Sequence, residues 1–217
     1  MEELQNFDAP VYKRNALAVR FLQIVGVSVL WLICCVPIVT IGPASCALYY
    51  VTAKTIRHGR GKLWQNFIGA MRADFRISAL YGTSMALLAA LLVFFIRLAN
   101  TLGAENSMWR ILGCAYGMML ILTGCFAVVV FPVLSRFRFS GKLRLKFPIL
   151  FTLKHLFTAF TCLLVWYLGI SITMLFPACL LFVPCVCTLI CSMVLEPLLK
   201  KYAVNAEEES SDQWYME

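Results

Sequence analysis

The sequence predicts an all-α protein: a polytopic membrane helical bundle of about six transmembrane helices, with two basic amphipathic elbows on its cytoplasmic side. Three observations carry that expectation. Of the 217 residues, 61% are apolar and only 14% are Asp, Glu, Lys or Arg, where a soluble domain carries roughly 25% charged residues. Four long runs, together 119 residues, contain no charged side chain at all. The 19 Lys and Arg residues are concentrated between those runs instead of being spread along the chain. Such a composition, with a mean hydropathy of +0.82, excludes a secreted disulfide scaffold, a disordered chain and an ordinary soluble enzyme.

The runs set the helices in order. They lie between Arg20 and Lys54 (33 residues), Arg76 and Arg97 (20), Arg110 and Arg136 (25), and Lys154 and Glu196 (41). A bilayer core about 30 Å thick takes about 20 helical residues, so the second and third runs fit one span each. The first and fourth are too long for one span and too long to be absorbed by tilt. Each has a breaker at which to fold back: Gly42-Pro43 in the first, Pro177 and then Pro184 in the fourth. Proline removes a donor and pushes the preceding residue out of helical geometry. The expected helices are therefore 17–41, 43–57, 77–99, 110–134, 155–175 and 178–200, in a single membrane domain over residues 1–205. The second is the short one. It crosses with Lys54 and Arg57 snorkelling to the surface, or it re-enters as a half-helix.

Charge sets the orientation. Six basic residues fall between Lys54 and Arg76 and six between Arg136 and Lys154. Adding the two ends of the chain places seventeen on one side, against Arg97 and Arg110 on the other. The positive-inside bias makes that side cytoplasmic, with both termini inside. If the second helix does not cross, the count becomes fourteen against five. The first span is too long for a signal-peptide core and no clear small-x-small cleavage site follows it, so it is expected to stay as an anchor. Residues 206–217 form an acidic, disordered cytoplasmic tail of charge −5, which leaves +13 on residues 1–205. The overall +8 is thus an orientation signal for a bilayer with anionic headgroups, and no nucleic-acid partner is expected.

The basic segments have a pattern of their own. From Lys62 to Arg76 the apolar residues Leu63, Trp64, Phe67, Ile68, Met71 and Phe75 recur at helical spacing, with polar residues largely on the other face. Gly141-Lys142-Leu143 with Phe147 echoes Gly61-Lys62-Leu63 with Phe67. The elbow residues expected to meet lipid headgroups or a cytoplasmic partner are Arg57, Lys62, Trp64, Arg72, Arg76, Arg136 and Lys142.

No chemistry assembles from the rest. The ten cysteines all lie in expected spans with no Cys-x-x-Cys pair, and buried cysteine behaves as a small hydrophobe. Neither a metal site nor a cofactor is expected. His58 and His155 sit at the ends of spans with no acid and nucleophile to complete a catalytic set. Asp74, Glu105 and Glu196 are the only acids outside the two tails, and Glu196-Pro197 reads as the close of the last span. Span interiors free of charge argue against a proton-coupled pump, a charged-substrate channel and an intramembrane protease. Small residues mark helix packing: Gly113 and Gly117 on one span, Gly82, Ala86 and Ala90 on another. Their first use is within the bundle and their second is a homodimer.

The segment Pro37-Ile38-Val39-Thr40-Ile41-Gly42-Pro43-Ala44-Ser45-Cys46-Ala47-Leu48-Tyr49-Tyr50 resembles the signature of the YesL-like family of bacterial integral membrane proteins, in which Pro-x-x-Thr-x-Gly precedes Ala-Leu-Tyr. The amphipathic elbow ending near Phe75, Phe131 to Phe137, and Pro197 to Tyr202 fit the same resemblance, which runs over residues 7–202. Pro148 and the basic residues before it depart from the pattern. The family has no established biochemical function or catalytic residues. Its members are commonly encoded beside carbohydrate permeases and polysaccharide-degrading enzymes, so the resemblance implies an accessory role in sugar uptake in the cell membrane. The implied partner is a sugar ABC importer or another membrane subunit. Pro37, Thr40, Gly42, Pro43, Ser45, Tyr49 and Tyr50 are the candidate structural or binding motif. The expected function is an accessory or partner-binding component and not an enzyme. The alternative is a permease or channel for a neutral solute, which predicts a cavity lined by Thr, Ser, Tyr and Trp.

Overall fold

The computed structural model describes residues 9–57, 63–73, 75–102, 107–136 and 143–203, with backbone alone at 9–19, 107, 143–145, 200 and 203. The described residues are all-α. Eight helices follow in order: α1 (Ala9–Cys34), α2 (Ile41–Val51), α3 (Leu63–Ala73), α4 (Phe75–Leu102), α5 (Ser107–Arg136), α6 (Leu143–Lys154), α7 (Leu156–Leu175) and α8 (Val183–Ala203). Short 3-10 turns at Ile38–Thr40 and Pro177–Leu181 precede α2 and α8, and a π-type turn, Thr52–Arg57, extends α2. The acidic tail, Lys62, Lys142, His58, Asp74 and Glu105 lie outside the described residues.

Among the described residues, three helices are long and apolar enough to cross a membrane: Phe75–Leu102, Met108–Arg136 and Leu156–Leu175. Arg20–Cys34, within the 26-residue α1, and Val183–Leu199, within the 21-residue α8, are apolar as well. The chain has the helical, apolar make-up of a membrane protein, and its long helices turn large apolar side chains such as Leu87, Phe94, Met118 and Phe157 outward.

The first fold-back comes earlier than the Gly42-Pro43 breaker predicts. α1 ends at Cys34, because Pro37, extended at φ −79° and ψ 128°, cannot continue a helix. The Thr40 hydroxyl closes the turn by donating to the carbonyls of Cys34 (2.5 Å) and Pro37 (2.7 Å). Pro43 instead sits in the first turn of α2, where its missing N–H would be unpaired anyway. Gly42 is a point of close approach. A Cβ there would lie 1.9 Å from the carbonyl oxygen of Ser78, and one on Gly82 would lie 2.7 Å from the Gly42 nitrogen. The backbones of α2 and α4 touch, and only glycine permits it. Gly82 is in the second turn of α4, so the turn before α2 lies beside the first third of that helix and not beyond its far end at Leu102.

α2 is short but central. Gly42, Pro43, Ala44, Cys46, Ala47, Leu48, Tyr49 and Val51 are all buried, as expected of a helix apolar on every side. It packs against α1, α3, α4, α5 and α8. Of the two elbows, α3 follows the amphipathic reading in part: Phe67 is buried and Gln65 and Arg72 are exposed, but Trp64, read on the same apolar stripe as Phe67, is exposed too. The second is also a helix despite Pro148. The fourth run folds back as predicted. Phe176 is extended, Pro177 opens a 3-10 turn, and α8 starts at Val183 and not at 178.

Candidate functional site

The candidate motif divides along its length. Pro37 and Thr40 shape the turn, and Gly42 and Pro43 pack against neighbours. Tyr50 is held apart, accepting a 2.7 Å hydrogen bond from the Lys54 ammonium. Ser45 and Tyr49, one helical turn apart and so on one face of α2, line a cavity of about 180 Å³. Trp31 of α1, Phe131 and Pro132 of α5, Trp166 of α7, and Thr188 and Cys191 of α8 also line it, with Leu48, Ala127 and Val128. The two indoles lie with ring centroids 6.2 Å apart. Trp31 Nε1 donates to Ser45 Oγ at 3.4 Å, while the Ser45 hydroxyl donates to the Ile41 carbonyl at 2.7 Å. The Thr188 hydroxyl donates to the Pro184 carbonyl at 2.7 Å. Tyr49 is 1% exposed and its hydroxyl has no hydrogen-bond partner within the protein. Leaving such a group unmatched costs about 1–3 kcal/mol.

Beyond one end of that cavity three charges converge. Glu196 of α8 is buried, and one carboxylate oxygen receives the guanidinium of Arg136, the last residue of α5. The other lies 3.2 Å from Arg57 Nη1 at the end of the α2 extension, and the same Arg57 nitrogen donates to the Ser192 carbonyl at 3.2 Å. Arg136 and Arg57, two of the residues read as outward elbow contacts, are thus engaged with one carboxylate, and Arg136 is buried. Glu196 belongs to a three-charge cluster; the sequence reading had it only closing a span. Exposed elbow residues among those expected are Trp64, Arg72, Arg76 and, despite its ion pair, Arg57.

A smaller aromatic cluster closes the same end of α7. His155 Nε2 lies 3.1 Å from the Tyr202 hydroxyl, and its ring packs against Phe151. Partial burial, with Lys154 and Lys201 nearby, pulls the His155 pKa below the ordinary histidine value. Of the expected packing residues, Gly82 is buried and Ala86 half-buried, while Ala90 is exposed. Gly113 faces Ala99 of α4, but a Cβ on Gly117 would meet nothing within 4 Å. The cysteines are free thiols, and among the described residues no three His, Cys, Asp or Glu side chains gather as a metal site would require.

Sequence reasoning missed Glu196, Trp31, Trp166 and Thr188. The signal for Glu196 was available: an isolated acid at the end of a 41-residue charge-free run calls for a cationic partner. Nothing in the sequence pairs Trp31 with Trp166. Residues 24–95 match the sequence profile of a family described as "Protein of unknown function, DUF624", a stretch that contains the turn, α2, α3 and most of α4. No curated protein matches the chain, and no solved structure matches it.

Proposed function

We propose that this chain is an accessory, partner-binding component of the bacterial cytoplasmic membrane, of the YesL-like kind, serving carbohydrate uptake and not itself an enzyme. The observation that carries the partner role is the build of α3. Phe67 anchors the helix in the core and Asn66 Nδ2 donates to Thr55 Oγ1 at 3.0 Å, while Trp64 stays 59% exposed and Arg72, two turns on, is exposed as well. An exposed Trp and an exposed Arg on one helix anchored from below are residue types in which binding hot spots are enriched. The carbohydrate link rests on the resemblance of the Pro37–Tyr50 segment, and the profile match over residues 24–95 covers the same region. Co-purification from native membranes tests it. A sugar-importer subunit should accompany the wild-type chain and be lost from a Trp64→Ala, Arg72→Ala variant that still folds. An unchanged set of partners refutes the α3 assignment.

In the proposed arrangement α4, α5, α7 and α8 cross the membrane with both elbows and both termini cytoplasmic. α1 and α2 form a hairpin that enters and leaves on that same side. The shortness of α2, Ile41–Val51, supports this, as does the contact of Gly42 with the second turn of α4. All seventeen cytoplasmic Lys and Arg of the charge count remain inside. A second reading, a permease for a neutral solute, is favoured by the Trp, Ser, Tyr and Thr lining of the cavity. Its 180 Å³ is smaller than the roughly 300–1,000 Å³ of ordinary ligand pockets. Solute uptake by purified protein in liposomes would establish it.

A further inference from the structure

Among the described residues there is one acid, Glu196, and two arginines already share it. Three lysines at the second elbow are left without a counter-charge. Lys146 and Lys154 are exposed on α6, Lys201 is exposed on α8, and none has an ion partner among the described residues. We propose that the acidic tail, residues 206–217, docks in cis along the exposed face of α6, with its carboxylates on Lys201, Lys154 and Lys146.

Packing puts the start of the tail at this face. α8 ends at Ala203. Tyr202, one residue earlier, meets Phe147 and Phe151 of α6 edge-on, with ring centroids 6.3 and 5.4 Å apart, and Lys154 Nζ lies 5.3 Å from the centre of the Tyr202 ring. Lys154 and Lys201 both act on His155, so the two charges sit together where the chain leaves α8. Length and pattern match as well. Lys146, Leu150, Leu153 and Lys154 recur at helical spacing and are all exposed. α6 therefore turns one face outward, with a lysine at each end and leucines between. Those end lysines are about 12 Å apart along the helix. Only three residues separate Ala203 from Glu207, and Glu207 to Asp212 covers about 17 Å when extended. Glu207, Glu208 and Glu209 reach Lys201 and Lys154 first, and Asp212 reaches Lys146. A tether this short holds the tail at an effective concentration of about millimolar, which favours it over a separate anionic surface. Docked so, the −5 of the tail offsets the charge of the second elbow and leaves α3, with Trp64 and Arg72, as the open one.

Photo-crosslinking of the full chain, reconstituted in vesicles of phosphatidylcholine and phosphatidylglycerol, tests the contact. Leu150, 66% exposed in the middle of the face, is replaced by p-benzoylphenylalanine, and the adducts are mapped by peptide mass spectrometry. The expected product is monomer-sized and joins α6 to residues 207–217. Neutralising the tail (Glu207→Gln, Glu208→Gln, Glu209→Gln, Asp212→Asn) should lower its yield about tenfold, the worth of two or three exposed ion pairs. Salt at about 1 M, where the Debye length falls to about 3 Å, should do the same. Those four changes lie beyond the last helix, so thermal unfolding should stay as in wild type. Adducts with lipid alone, a dimer-sized adduct through the tail of a second copy, or a yield that the neutral tail leaves unchanged overturns the proposal. Each of these leaves the α3 reading standing.

Discussion

Replacing Glu196 by Gln should be the most damaging single change at the charged end of the bundle. The Arg136 and Glu196 side chains are 4% and 3% exposed, whereas Arg57 is 31% exposed. Removing the carboxylate leaves the buried Arg136 without its counter-charge, and breaking a buried pair from one side costs about 3–5 kcal/mol. At about 2–4 °C per kcal/mol for a chain of this size, melting should fall by about 6–20 °C. Arg57 reaches solvent, so Arg57→Ala loses a half-exposed pair worth about 0–1 kcal/mol and one carbonyl hydrogen bond worth about 1 kcal/mol. The double variant Arg136→Met, Glu196→Leu removes both buried charges together and should recover most of the loss, because an apolar pair of similar volume is often neutral or better. A thiol-reactive fluorogenic dye on detergent-solubilised protein reads this directly, since Cys125, Cys162, Cys185 and Cys191 are buried free thiols that unfolding exposes. The reasoning fails if Arg57→Ala is as harmful as Glu196→Gln, or if the double variant melts as low as the single one.

Gly42→Ala and Gly82→Ala should each cost about 1–3 kcal/mol or more by forcing α2 and α4 apart, while Gly117→Ala, with open space at its Cβ, should be neutral or gain about 0.5–1 kcal/mol; melting temperatures of the three decide it. Because the folded state lowers the His155 pKa, the unfolded chain binds more protons there. Its contribution to stability is present above the unfolded value of about 6.5 and is lost as pH falls through the lower folded value. Melting measured from neutral to acid pH should therefore fall more for wild type than for His155→Gln. Reporter fusions after residues 104 and 140 should report outside and inside respectively, and an outside signal at 140 would end the proposed orientation. A cysteine at Val36, 82% exposed within the chain, should resist a membrane-impermeant maleimide on intact cells, mapped by peptide mass spectrometry; labelling from outside would restore a full crossing by α2.

The sequence was informative wherever the polymer or the bilayer imposes a rule. Charge-free runs located α4, α5 and α7 within a few residues, and Pro177 marked the second fold-back. The amphipathic spacing around Phe67 gave α3 its inward face. What escaped was set by tertiary contact. Gly42-Pro43 looks like a breaker because it combines two residues that end helices. Here the proline occupies a first turn that tolerates it, and the glycine serves a helix crossing with Gly82, 40 residues on. The likeness of the two elbows was visible in sequence, yet the inward turn of Arg136 was not, because a basic residue at a span end reads as a headgroup contact until its partner, 60 residues away, is known.

The charged cluster and the cavity share their walls, and that bears on both. Tyr49 and Arg57 are on α2 and its extension, Pro132 and Arg136 on α5, and Cys191 and Glu196 on α8. Each helix contributes a cavity residue and, within one or two turns, a member of the ion cluster. Three elements from distant parts of the chain are therefore pinned at one end by a single carboxylate, and the spacing of that end sets the width of the space around Tyr49. A lone hydrophobic contact there would let the helices slide, because apolar side chains gain nothing from one neighbour over another when lipid is equally apolar. A buried carboxylate between two guanidiniums has one satisfactory register and steep penalties elsewhere. Glu196 is thus best understood as a positioning residue. It lies outside the cavity wall, but it fixes the distance between α2, α5 and α8, all three of which line the cavity.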